Sequence, residues 1–570
     1  SPPATQKPIL IIGAGISGLL LAQHLRKLGG PDKIPFRIFE RDTDLTTRGL
    51  GWGLTLHWSL PALHALLPEE LVARLPEAYV DRKAVEEGMA SRFPFFDLST
   101  GELKASTPDL PESARIRVTR DRFRRLLATE LEIEVSFSEN SHLPEMLQHY
   151  IQWGKALTYF QTLEDGSVQV HFDDGTTVEG SILVACDGGS SRVRNALFPD
   201  LPKYQVPVRM MGVRIDCDPE EIEPLRKLDA FFLQGAASQN DSFVYCSSMS
   251  PASMSHLPKC LVTRSADPNH KLTFHNITNI LDAPSNTNNT TGKYTCQMCV
   301  SWPIRPGFFG SSEPIDFPTT SSEGVALIKK FADTWAEPFR SLAHRIPDET
   351  EVKYLQLADW PPPRGLRTKG SVALVGDAVH PMVMCEFSFP FLSFWSLLRS
   401  AVSPAVWVVP GWIDGGVCSC VRLSHHHIPS HTHIPGSGPI CTSEAQQEQH
   451  AFLQLFHQKP TQPPRYLTNR GEGANHAIVD VQDFVELVLP TLLPGPGSDA
   501  GTQEPTLTLR EALDHYEDRV VARTRPAVLA SRQACLDAHE WSRIDEKSPL
   551  LTKRDMWVKF DEESMALRVS

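Results

Sequence analysis

Pro8-Ile9-Leu10-Ile11-Ile12-Gly13-Ala14-Gly15-Ile16-Ser17-Gly18-Leu19-Leu20-Leu21-Ala22 is the stretch on which the fold turns. An apolar run fit for a buried parallel strand leads into G-x-G-x-x-G, and leucines then recur at helical spacing. A second short apolar segment, Phe36-Arg37-Ile38-Phe39, ends on Glu40. Strand, glycine turn, helix, strand and acid in this order make a βαβ dinucleotide-binding unit. Gly13 permits the tight turn, Gly15 lets the backbone approach a pyrophosphate, and Gly18 lets the helix lie close on the strand. Ala14 and Ser17 sit in the same turn, at a helix N-terminus whose free N–H groups and positive dipole end suit phosphates. Glu40 would accept hydrogen bonds from a ribose hydroxyl pair and repel a 2′-phosphate. FAD or NAD therefore fits this first site better than NADP.

Around this unit the bulk properties are those of a multidomain protein. A chain of 570 residues is too long for one core. Its formal charge of −13 argues against nucleic acid and against an anionic membrane surface as partners. Eleven cysteines are scattered without a paired framework, as in a reducing compartment, and Ser1 to Pro8 is polar and Pro-rich with no visible signal segment. A cytoplasmic location is expected. The chain lacks an initiator Met, as a trimmed or processed start would.

Further along, the pattern predicts a helix over Ser17–Leu28 and a helical stretch over 59–75. Gly49 to Leu56 reads as a glycine-rich extended segment. Arg115 to Arg120 is strand-like and leads into a helix start at Asp121-Arg122-Phe123. Thr158 to Glu179 reads as a hairpin with turn signals at Asp165-Gly166 and Asp174-Gly175. The buried run Ser181-Ile182-Leu183-Val184-Ala185-Cys186 ends at Asp187-Gly188. Short alternating strands are expected from Val206 to Pro306, a helix near 324–335, and a strand ending on Gly376-Asp377. The part from Gly473 to Ala538 reads as mostly helical.

Three separated segments match one family: the glycine fingerprint ending on Glu40, Cys186-Asp187-Gly188, and Val375-Gly376-Asp377-Ala378-Val379-His380-Pro381. Together they resemble the single-component FAD-dependent monooxygenases of the aromatic hydroxylase (para-hydroxybenzoate hydroxylase-like) type, particularly those of fungal secondary metabolism. The resemblance implies an α/β fold: a Rossmann-like FAD-binding domain, an inserted mixed β-sheet substrate domain and a helical C-terminal part. It also implies that Asp377 bonds the ribityl chain of FAD and that residues 378–381 start a helix facing the flavin ring. Asp187 matches the family's second motif and Arg120 the arginine that contacts FAD. Gly376, Arg41, Gly51, and Gly473-Ala474 at a later glycine-rich helix start complete the expected FAD set. The sequence has no second G-x-G-x-x-G, and NAD(P)H is implied as a transient reductant. The implied reaction uses O2 to hydroxylate or epoxidise an aromatic or polyketide-like small molecule, with Arg214 and Tyr245 on the substrate sheet as catalytic residues. A strand arginine on a solvated face and a core tyrosine are the alternative reading of that pair. A flavin-linked oxidase, or a flavin-binding protein inactivated by insertions, is the alternative function. Oligomeric state and substrate identity stay open, and no metal site is expected.

The implied boundaries are 7–205 for the first part of the FAD-binding domain, 206–320 for the sheet-rich domain, 321–384 for the return to the FAD-binding domain, and 471–570 for the helical part. Two stretches fall outside this plan. Residues 385–470 form an anomalous insert with an aromatic-rich run, a histidine cluster and Pro-Gln-rich low complexity, and loops this long are uncommon inside compact domains. Removing 135–152 would join Ile133-Glu134 to Trp153 in a smooth strand. Val135-Ser136 can be encoded by GTAAGT and Gln152 by CAG, so both stretches read as translated introns. A membrane anchor at 387–409 and a metal site at the histidines are weaker readings, since Arg399 and Pro404 interrupt the first and the second lacks known ligand spacing.

Overall fold

A computed structural model describes residues 7–30, 33–47, 53–107, 110–131, 150–250, 292–383, 472–493, 507–546 and 548–551. The insert 385–470 and Gly51 lie outside them. The first β-strand, Ile9–Ile12, is buried at every residue, as a strand covered on both faces must be. It is the centre of a five-stranded parallel sheet in the order Val372–Leu374, Ile182–Ala185, Ile9–Ile12, Phe36–Phe39, Ile151–Gln152. The registers Ile12↔Ala185 and Ile12↔Phe39 bring the ends of three strands level, so their following turns share one edge of the sheet. The fingerprint helix Ile16–Lys27 packs on this sheet and against the helix Gly473–Leu487, which in turn packs on the long helix Leu509–Ala538.

The outermost strand, Ile151–Gln152, belongs to the stretch 135–152 read as an intron; it pairs as Ile38↔Ile151 and Phe39↔Gln152. Without that stretch, Ile133-Glu134 would precede Trp153 with the same apolar–polar order. Residues 157–180 are a three-stranded antiparallel sheet rather than a single hairpin, because both Asp-Gly turns reverse the chain; Gly166 and Gly175 have φ +80° and +81°.

A seven-stranded mixed sheet runs Lys353–Asp359, Tyr204–Cys217, Tyr294–Pro303, Phe243–Met249, Phe232–Ala236, Phe95–Asp97, Leu103–Ala105. It takes strands from both sides of 206–320. Its longest strand has 14 residues, where short strands were expected. The length follows from burial of both faces. Met211, Val213 and Ile215 pack with Val325, Ile328 and Phe331 of the helix Ser321–Ala332. Val206, Val208 and Met210 pack with Ala534, Cys535 and Ala538 at the end of the long helix. That second face looks towards the fingerprint.

Candidate active site

One cavity of about 380 Å³ runs from the fingerprint glycines to the mixed sheet. Gly13 has φ +105°, and a Cβ there would lie 2.4 Å from the Cys186 carbonyl oxygen. A Cβ on Gly18 would lie 2.1 Å from the Gly13 oxygen. Both glycines are required by the protein's own backbone. Gly15 differs: its nearest neighbour would be 3.9 Å away, so the missing side chain leaves space in the cavity itself.

The Ala14 N–H donates to Glu40 Oε2 at 2.9 Å, and its carbonyl accepts from Arg124 Nε at 2.7 Å. Ala14 thus acts through its backbone. Glu40 is 4% exposed, accepts from the Asp42 N–H at 3.1 Å, and lies 3.6 Å from Arg124 Nη2. Arg124 was not singled out by the sequence, since four arginines crowd residues 120–125 and only packing distinguishes the one turned inward. Arg120, first residue of the helix Arg120–Ala128, lines the cavity, as does exposed Arg41.

Asp187 Oδ2 accepts from the Arg192 N–H at 2.8 Å. Its Oδ1 is buried with no partner among the described residues, and burial pushes its carboxyl above the ordinary range. Gly376, at φ +64°, makes a tight turn against Ser17; a Cβ there would lie 2.7 Å from Ser17 Oγ. The turn exposes the Asp377 side chain to the cavity, and a Cβ on Gly473 would sit 3.6 Å from Asp377 Oδ1. Residues 376–378 form only a short 3₁₀ turn. The helix N-terminus at the cavity belongs instead to Gly473–Leu487, with Gly473 and Ala474 in the wall.

A buried polar network holds this arrangement. Asp480 Oδ2 accepts from the Gly376 N–H at 2.8 Å and lies 2.7 Å from His380 Nε2; its Oδ1 accepts from Arg523 Nη2 at 2.7 Å. Burial opposes ionisation of Asp480, but His380 and Arg523 outweigh it and hold the carboxyl below its ordinary value. Asn475 accepts from the His57 N–H and donates to the Thr55 carbonyl, tying the helix start to the strand Gly53–Leu56. Neither Asp480 nor Asn475 carries a motif.

At the far end Tyr245 lines the cavity with Met210, Phe232, Phe243 and Cys299. Arg214 does not reach it. Arg214 is on the same strand as Met210 but four residues on, with its guanidinium 3.7 Å from Asp216 and 3.4 Å from Thr295 Oγ1. The structure separates the expected pair and sets Arg117 beside Tyr245 instead.

An orphaned acid oxygen, an open glycine position, two helix N-termini and a ribose-competent glutamate along one cleft suit a dinucleotide such as FAD. The fold and cleft thus define a dinucleotide-binding α/β protein whose site opens onto a separate sheet. No family model matches the chain. A probable FAD-dependent monooxygenase of Arthroderma benhamiae is 32% identical over 572 residues, covering 98% of each chain. The FAD-dependent monooxygenase tazP of Aspergillus terreus is 32% identical over 386 residues, 66% of this chain and 83% of that one. Among solved structures, a putative FAD-containing monooxygenase of Photorhabdus luminescens shares the fold with TM-score 0.53 and 16% identity, covering 94% of this chain and 98% of that one. Klebsiella pneumoniae HpxO, complexed with FAD and uric acid, does so with TM-score 0.51 and 15% identity, covering 94% and 89%. This chain belongs to the FAD-dependent monooxygenases.

Among the described residues no helix is long and apolar enough to cross a membrane, and no group of metal-ligating side chains could hold an ion.

Proposed function

We propose that the enzyme uses NAD(P)H and O2 to hydroxylate or epoxidise an aromatic or polyketide-like small molecule in secondary metabolism. The continuity of one cavity from the fingerprint to Tyr245 carries this reading, because it puts a cofactor cleft and an apolar substrate chamber in contact. Bound FAD, once reduced, supplies the electrons that activate O2 for transfer of one oxygen atom. The chain's residues bind and orient. The N–H groups at Gly15 and Ser17 would hold the pyrophosphate, Glu40 the ribose, and Asp187 and Asp377 the hydroxyl-bearing linker. Arg41 and Arg120 would offset the cofactor's negative charge along the cleft, and the Gly473-Ala474 helix start would stabilise negative charge on its ring system. Phe232, Phe243 and Met210 exclude water from the reacting ring.

The test is the absorption spectrum of the purified protein, followed by NADH and NADPH oxidation with candidate phenols under labelled O2. A flavin band with label in the product supports the reading. Flavin-free protein that ignores added FAD overturns it, and turnover that yields only peroxide makes the enzyme an oxidase.

A further inference from the structure

We propose that the Gln234 side chain is a specificity subsite at the apolar end of the chamber, and that it reads a neutral substrate group presenting a hydrogen-bond donor and an acceptor side by side, as a carboxamide does. The proposal rests on the cavity being the substrate chamber of a flavoenzyme, and it adds a point of recognition for a polar substituent of the substrate.

Gln234 is the middle residue of the strand Phe232–Ala236, in register with Tyr245 on one side and Phe95 on the other. Leu233 turns into the core under the helix Ser321–Ala332, while Phe232 and Ala236 turn into the apolar cluster at the chamber end. Alternation therefore puts Gln234 on the chamber face of the sheet. It is fully buried. Its main-chain N–H donates to the Pro94 carbonyl at 3.1 Å. Its side chain is not served in this way: among the described residues neither Oε1 nor Nε2 has a hydrogen-bond partner. The Tyr245 hydroxyl on the neighbouring strand accepts from Arg117 at 2.7 Å instead.

A buried amide with both ends unmade is costly, and a methionine or leucine would fill the same space without that cost. A second cost lies beside it. Phe93, one residue before the carbonyl that Gln234 bonds, has φ +46°, a left-handed backbone that bulky side chains avoid. Its ring is 5.1 Å from that of Phe232, and Phe93, Phe232 and Tyr245 all line the cavity. Gln234 thus sits directly behind this wall, and strain of this kind collects where a ligand is clamped. In the proposal the Phe93 side chain yields as the substrate enters, and the substrate's polar group completes the amide. Complementarity selects that group. A carboxylate would set acceptor against Oε1, and an ammonium would set donor against Nε2; a group with one donor and one acceptor meets both.

The experiment is calorimetric titration of the FAD-loaded full chain, without reductant, with 4-hydroxybenzamide and with 4-isopropylphenol, which has nearly the same shape but no polar substituent on the ring opposite its hydroxyl. Wild type is expected to prefer the carboxamide. Gln234→Met keeps the length of the side chain and removes both polar ends. It should weaken carboxamide binding roughly 10- to 100-fold, as loss of hydrogen bonds to a desolvated polar group does, and leave 4-isopropylphenol binding unchanged or tighter. Its midpoint in urea should be no lower than that of wild type. Equal carboxamide affinity in the two proteins overturns the proposal, as does an equal loss for both probes, or a wild type that prefers 4-isopropylphenol or binds neither. A lower urea midpoint for Gln234→Met also overturns it, by assigning the amide to the fold. Absence of flavin from wild type is a different failure, that of the flavoenzyme reading.

Discussion

Three glycines of one motif do different work at the level of single atoms. Gly13 and Gly18 face the chain's own carbonyls, and Gly15 faces the cleft. Gly13→Ala adds a Cβ 2.4 Å from a backbone oxygen at a φ that side chains avoid, and should cost a few kcal/mol of stability in urea denaturation. Gly15→Ala meets only ordinary contacts. It should leave the denaturation midpoint nearly in place while weakening FAD binding by about 10-fold or more, read by flavin fluorescence. If both variants lose stability equally, Gly15 is a structural glycine as well.

At the scale of elements, the cofactor cleft is assembled by helices that follow the motifs in sequence by a hundred residues or more. Asp480 on the helix Gly473–Leu487 fastens the Gly376 turn and is itself neutralised by Arg523 on the long helix. Asp480→Asn leaves Arg523 with one carboxylate fewer in a buried setting. We expect a loss of about 3–5 kcal/mol in guanidinium denaturation together with release of FAD. The far end of the long helix is joined to the mixed sheet by His539, whose Nδ1 bonds the Cys535 carbonyl and whose Nε2 meets Ser301 Oγ at 2.8 Å. Burial pushes this imidazole down to about 4. A histidine held neutral in the folded state contributes stability that is complete above its unfolded value near 6.5 and is lost as pH falls towards 4. The loss at the acid end is about 3 kcal/mol for this group. His539→Gln should flatten that part of the stability-versus-pH curve between pH 6.5 and 4, measured by thermal melting.

For the whole molecule, the cavity is where a parallel and a mixed sheet meet. Val383 and Glu472, on either side of residues 384–471, both line it. The described residues on the two sides of that stretch thus meet at the same wall. A variant lacking 385–470 is expected to keep its flavin band, and sequencing of the spliced transcript is expected to lack both that stretch and 135–152. Loss of flavin on deletion would show that the insert serves the fold.

How much of this was readable beforehand differs by kind of residue. Gly13, Gly15, Glu40, Asp187 and Asp377 sit at strand ends, where backbone geometry and chemistry lie within one local pattern, and all five line the cavity. Arg124, Asp480 and Asn475 escaped notice because each bonds a partner distant in sequence, and an arginine or aspartate on a helix has many bland uses. Arg214 was misplaced for a related reason. Alternation told which face of the strand it occupies, but its position along that strand relative to the cleft depends on how two sheets approach each other.

Local order along the chain was enough to determine the βαβ unit, the acid that ends its second strand, the other strand-end acids and the class of cofactor, since each depends on neighbours within one turn or one strand. Which arginine stands beside Tyr245, which helix presents its N-terminus to the cleft, and how Asp480 reaches Gly376 were decided only by tertiary packing. Those are distances across sheets and between helices, and no short-range pattern encodes them.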